Sequence, residues 1–144
     1  MTVTEFIATF EGKWSRVTPA STVAITALVD RSGLRLPADY LEFLSRTNGG
    51  AGFLDVQPCY LRIWAAEEVV GNNHDYQMPE YVPGFIGFGD AGGGEFFAFD
   101  TRSPQPWRVV SIPFVPMEEA SARLVASSFS ELLGHVTPPT DEPT

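Results

Sequence analysis

The stretch from Phe85 to Asp100, FIGFGDAGGGEFFAFD, constrains the fold more than any other part of the chain. Phe85 to Phe88 and Glu95 to Phe99 are short and aromatic-rich, the composition of strands. Between them Gly89 to Gly94 is mostly glycine, which reaches backbone conformations closed to other residues. Two strands joined so closely pair antiparallel as a hairpin. The same letters, Gly87 to Gly92, also spell G-x-G-x-x-G. A dinucleotide site needs those glycines to open a helix whose amino end holds the pyrophosphate. Here they lead into a strand, so the match fails in context. No G-K-[ST] follows any glycine, so no phosphate loop is present either.

Helical periodicity precedes the hairpin. Thr2 and Glu5 have capping-box spacing, and Phe6, Phe10 and Trp14 recur at steps of four. Thr18-Pro19 reads as a second helix start, with Ile25, Leu28 and Val29 as its apolar stripe and Gly33 as its stop. A third helix begins near Leu36-Pro37, carries Tyr40, Leu41, Phe43 and Leu44, and ends at Asn48-Gly49-Gly50. Phe53 to Val56 and Cys59 to Trp64 read as strands around Gln57-Pro58, with Cys59 a small core residue. Ala65 to Val70 reads as a short helix and Gly71 to Pro83 as a polar irregular stretch. Trp107 to Phe114 is a further strand, Glu118 to Val125 is weakly helical, and Ser128 to Leu133 makes a closing helix. Helices first, consecutive strands next and a helix last predict an α+β fold with a largely antiparallel sheet. One domain over residues 1–136 is expected, followed by a flexible Pro-rich tail over 137–144.

The chain has 144 residues, 44% of them hydrophobic, which is enough to build a core and excludes intrinsic disorder. No apolar run is long enough to span a bilayer, and the first residues lack the features of a signal peptide. With Cys59 the single cysteine, a reducing compartment and a cytoplasmic location are expected. The net charge is −9, which argues against nucleic acid and anionic membranes as partners. The charge is concentrated: residues 47–100 hold eight acids and only Arg62 as a base, a net of −7. That suits either plain solubility or an acidic face for a basic partner.

The chemical constellations are weak. His74, Asp75, His135 and Cys59 match no metal-ligand spacing, and no cofactor is expected. There is no G-x-S-x-G nucleophile. Glu67 and Glu68 are neighbours on a helix and point apart, and Asp90 and Glu95 flank an ordinary turn. Neither pair brings two carboxylates to one bond, as acid–base chemistry requires. The aromatic residues of the hairpin have no interleaved Lys or Arg and read as sheet core.

Three segments in order resemble the SUKH superfamily, in the branch named for the fungal Smi/Knr cell-wall-synthesis regulators. LPADYLEFLSRTNGGAGFL supplies Leu36, Pro37, Tyr40, Phe43, Leu44, Asn48 and Gly49. GFIGFGDAGGGEFFAFD supplies Asp90, Gly92, Gly93, Gly94 and Asp100, and ASSFSELL supplies Phe129 in the closing helix. The resemblance runs from about residue 20 to 134. It implies an α+β domain without a known catalytic centre, in which Leu36, Pro37, Tyr40, Phe43, Asn48, Gly49, Gly92, Gly93, Gly94 and Phe129 are structural. Bacterial members typically act as immunity proteins that neutralise secreted polymorphic toxins, often nucleases. Fungal relatives act as regulatory scaffolds.

The expected function is therefore non-catalytic protein binding, with a basic toxin domain as partner or, as the alternative, a host protein. The residues expected to meet the partner are Glu67, Glu68, Asp75, Glu80, Asp90 and Glu95, with Tyr76 and Tyr81 as aromatic anchors. Partial burial under a loop is the competing reading for the two tyrosines. A small-ligand binder or an unrecognised enzyme is a third, more distant reading.

Overall fold

A computed structural model describes residues 1–138. In chain order the elements are α1 (Val3–Thr9), β1 (Trp14–Ser15), α2 (Thr22–Ser32), α3 (Ala38–Arg46), β2 (Gly50–Leu54) and β3 (Tyr60–Ile63). Then follow α4 (Ala66–Asp75), α5 (Met78–Tyr81), β4 (Phe85–Asp90), β5 (Glu95–Asp100) and β6 (Arg108–Pro113). A 3-10 turn at Glu119–Ser121, β7 (Arg123–Ala126), α6 (Phe129–Gly134) and β8 (Val136–Thr137) complete the fold. The strands form one antiparallel sheet in the order β1 to β7, with β8 joining β2 beside β1. This is the expected α+β architecture, with N-terminal helices, a glycine-rich hairpin and a short closing helix.

The hairpin of β4 and β5 pairs Phe85 with Asp100 and Asp90 with Phe96, and the register shifts at a bulge between Gly87 and Gly89. Phe96 to Phe99 are all buried, so β5 is covered on both faces. On one face the Tyr40 ring of α3 lies 5.7 Å from Phe88, 5.2 Å from Phe99 and 5.5 Å from Phe129 of α6. Phe43 joins this cluster through Phe129 and links it to Phe6 and Trp14. On the other face Phe96 meets Phe114 at 5.2 Å, and Met78 of α5 packs beside it above Gly87. Rings at such edge-to-face separations add to the burial term, itself roughly 1.5–3 kcal/mol per side chain.

Several local expectations are corrected. Trp14 is not on the first helix: α1 stops at Thr9, Gly12 turns the chain at φ +79°, and Trp14 enters a strand. There its indole packs over Gly50 and Gly52 and donates to the Gly49 carbonyl at 3.1 Å. The cap of α2 is Ser21, whose hydroxyl accepts from the Ala24 amide, rather than Thr18. Residues 18–20 are instead held extended, through an Asn48 amide to Thr18 carbonyl bond and an Ala20 amide to Leu44 carbonyl bond. Strand β2 begins earlier and ends sooner than Phe53 to Val56, because Gly50 to Gly52 pair with β1 and β3. Cys59 is exposed at φ +73° in the turn before β3, not in the core. The stretch 71–83 is largely helical, since α4 continues to Asp75 and α5 follows. Residues 123–126 pair with β6 as a strand. Thr137 pairs with Phe53, so the tail expected from 137 loses its first residue to the sheet, and its residues 139–144 lie outside the described residues.

Substitutions at two places test this packing. The Tyr40 hydroxyl is fully buried without a hydrogen-bond partner, and burial pushes its pKa up from the ordinary value. Tyr40→Phe removes an unpaired polar atom and should raise stability by roughly 1 kcal/mol in a urea melt. A raised folded pKa gives stability that is intact below about pH 10 and falls as pH rises further. Tyr40→Phe should therefore also flatten the alkaline limb of the stability curve.

The second concerns the hairpin turn. Gly92 has φ +81°, and a Cβ there would meet the Tyr60 ring at 3.1 Å. Gly93 and Gly94 have open space and no positive φ. Gly92→Ala should cost about 1–2 kcal/mol, and Gly93→Ala and Gly94→Ala should melt close to the parent.

Candidate functional site

Helix α4 carries three of the six acidic residues expected to meet a partner, Glu67, Glu68 and Asp75, and its position follows from two asparagines. At its start, Asn48 accepts from the Ala66 amide at 2.7 Å and donates to Glu67 Oε1 at 2.8 Å. Glu68 Oε1 accepts from the Ala65 amide at 3.0 Å. Two carboxylates in the first turn also suit the positive end of the helix dipole. The bond from Asn48, together with a backbone bond, holds the Glu67 carboxyl below its ordinary range. Farther along, the buried Asn73 side chain reaches β4. Its amide donates to the Gly87 carbonyl and its oxygen accepts from the Gly87 amide, both at 2.8 Å. Strand β3 pairs with β4 only at Gly89 and Asp90, so Asn73 supplies the hydrogen bonds that a longer β3 would make.

The chain leaves α4 at Tyr76 and turns through Gln77, a non-glycine residue at φ +59°, into α5. This corner presents Asp75, Tyr76, Glu80 and Tyr81 to solvent. Tyr76 is 47% exposed and Tyr81 57%. The Tyr76 ring also lies 4.7 Å from Phe114, on the chain beyond β6. Glu67 and Glu68 are exposed at the opposite end of α4, about 12 Å away by helical rise. The expected acidic face is therefore a helix-long strip, with the two tyrosines at one end only.

Asp90 and Glu95 do not belong to that strip. Asp90 is only 8% exposed. Its Oδ2 accepts from Arg62 Nη2 at 2.8 Å, Arg62 Nε at 3.1 Å and Trp64 Nε1 at 2.7 Å. Its Oδ1 accepts from the Gly92 amide at 2.8 Å. Burial alone would push this carboxyl up, but the bonds from Arg62, Trp64 and Gly92 outweigh it and hold it below its ordinary value. The pairing of Arg62 with Asp90 across β3 and β4 sets these groups side by side. Glu95 is half-buried and paired with Arg123 at 3.2 Å. Asp55, inside the expected strand Phe53 to Val56, instead follows β2, is exposed, and meets His135 Nδ1 at 2.8 Å.

The ten positions expected to be structural divide by role. Tyr40, Phe43 and Phe129 form the aromatic cluster and Leu36 is buried. Pro37 precedes α3, and Asn48 clamps α4. Gly49 has φ +93°, and a Cβ there would strike the Ile63 carbonyl at 2.3 Å. Of the hairpin glycines, Gly92 alone has a positive φ. The sequence reading missed the roles of Asn73 and Phe114. Asn73 sits two positions after Gly71 in a run that looked irregular, and Phe114 meets Tyr76 only in three dimensions.

Among the described residues, no group of three or more His, Cys, Asp or Glu stands together to hold a metal ion. A depression of about 570 Å³ over Phe85, Val110 and Leu124 contains Arg102 and Arg108. Arg102 is already engaged by Asp100 and Glu119 and stacks on Phe85. No helix of the described residues is long and apolar enough to cross a membrane.

Asp90→Ala should cost roughly 2–4 kcal/mol, because the buried Trp64 N–H and the Arg62 guanidinium lose their acceptor together. A depressed folded pKa stabilises above the unfolded value, and that contribution is lost as pH falls through the folded one. Urea melts at successive pH values below about 4 should show a smaller acid loss in Asp90→Asn than in the parent.

The model of the SMI1 / KNR4 family (SUKH-1) matches residues 19–135, most of the chain. No curated protein matches the chain.

Proposed function

The chain belongs to the SMI1 / KNR4 family (SUKH-1), and from that premise we propose that it is a non-catalytic binding protein of the immunity type. In this reading it neutralises a secreted toxin domain in the cytosol. The observation that carries the physical half of the reading is the exposed strip of α4 and α5. Glu67, Glu68, Asp75 and Glu80 project there, within a segment of net charge −7. Carboxylates lining one surface steer a basic partner and raise its association rate. A nuclease toxin would present such a surface, since it must hold phosphates. The toxin role itself rests on the family. The alternative is a regulatory scaffold that meets a host protein through the same surface.

A toxin gene beside this one would favour immunity, and co-expression supplies the direct test. Cells making the toxin should survive when they also make this protein. The double reversal Asp75→Lys with Glu80→Lys spares the side-chain bonds at the start of α4. It should slow association with the purified toxin by about tenfold at low salt, with little change at high salt. Protection lost without any change in on-rate would reject the acidic strip as the docking surface. No protection against any neighbouring toxin would favour the scaffold.

A further inference from the structure

The corner between α4 and α5 is more than the end of an acidic strip. Tyr76 and Tyr81 stand out from it, and the Phe114 ring packs 4.7 Å from Tyr76. The next residue, Val115, is 89% exposed. Phe114 follows β6, so its contact with Tyr76 exists only in the folded chain. Asp75 and Glu80 flank the tyrosines in sequence and are exposed. No Lys or Arg occurs between Arg62 and Arg102. Arg102 is spent on Asp100 and Glu119 and Arg123 on Glu95, while Arg31 of α2 lies beside His74 and Pro79 on the α2 side of the corner. His74 borders the patch, 3.6 Å from Asp75.

The patch is also held in place. The Tyr76 amide bonds to the Asn72 carbonyl at 3.0 Å, Gln77 to His74 at 3.0 Å and Tyr81 to Gln77 at 3.2 Å. The Val82 amide bonds to the Met78 carbonyl at 2.8 Å, and the buried Met78 side chain packs beside Gly87 and Phe96. Anchors already fixed in the free protein lose little entropy on binding.

Resting on the basic-partner reading above, we infer that this patch seats an arginine-bearing segment of the partner protein. The guanidinium stacks on the tyrosine faces and pairs with Asp75 or Glu80, and its aliphatic stem covers Phe114 and Val115. Arginine fits better than lysine because its planar cation stacks on rings and meets a carboxylate in two-point fashion. An apolar stem with a charged head also matches a patch that is apolar at its centre and acidic at its rim.

Amide NMR of the full chain tests this with three hexapeptide amides, made of arginine, lysine or citrulline. The arginine peptide should shift Tyr76, Tyr81 and Val115 and bind more tightly than the lysine peptide, and neutral citrulline should shift nothing. Tyr76→Ala with Tyr81→Ala should weaken arginine binding by roughly fivefold or more. Should that variant unfold, Tyr76→Leu with Tyr81→Leu keeps apolar bulk and should erase the preference for arginine. Equal affinity of the arginine and lysine peptides, or shifts centred elsewhere, would overturn the inference and leave the proposed function standing. If neither cationic peptide shifts any residue, the inference fails and so does the basic-partner half of that function.

Discussion

Strand β4 must find partners for its backbone along both edges, and the way it does so places the rest of the site. On one side β5 pairs along its whole length. On the other, β3 reaches only Gly89 and Asp90, and the Trp64 amide takes the Phe88 carbonyl. Beyond that point the edge is closed by the side chain of Asn73, which imitates a peptide group against Gly87. An unpaired buried amide and carbonyl cost about 1–3 kcal/mol each, so α4 is fixed there by necessity. Asn48 fixes its other end. The acidic residues and tyrosines of α4 and α5 stand where they do because one strand of the sheet is too short.

The same end of β4 explains why one carboxylate of the middle segment behaves unlike the others. Asp90 shares its oxygens among Arg62, Trp64 and Gly92, joining β3, the chain leading to α4 and the hairpin turn. Its charge is consumed inside the fold. Glu95 is partly consumed in the same way by Arg123. The surface field of the middle segment therefore comes from fewer acids than the sequence count suggests, and apart from Asp55 those acids lie along α4 and α5.

Much of this was legible in the chain. The glycine-rich hairpin, the aromatic core positions Tyr40, Phe43 and Phe129, and the stop of α2 at Gly33 all follow from local rules of composition and period. The errors arise where tertiary contacts override such rules. Trp14 has helical spacing from Phe6 and Phe10, yet Gly12 and the glycines of β2 draw it into the sheet. The 71–83 run looks irregular because a polar Asn73 occupies a core-facing position of α4, and periodicity counts only apolar residues there. Asp90 looked like a surface turn residue because its side-chain donors lie elsewhere in the chain, Arg62 on β3 and Trp64 just after it. The tyrosines were visible as candidates, whereas Phe114 beside Tyr76 was not, since nothing in the sequence couples positions so far apart.

The strand order of the sheet follows the chain from β1 to β7, and β8 alone breaks it by reaching back to β2. The β2–β3, β4–β5, β5–β6 and β6–β7 ladders close short loops, whereas the ladder between Leu54 and Val136 encloses the chain from β3 to α6. The two kinds of ladder thus differ in kinetic rank. Sequence separation favours assembly of the β4–β5–β6 meander from neighbouring segments before β8 docks. Release of the two-residue β8 bares the Phe53–Leu54 backbone while leaving the Tyr40 cluster whole. Such an opening lies beside β2 and leaves in place the side-chain bonds of Asn48 and Asn73 that hold α4.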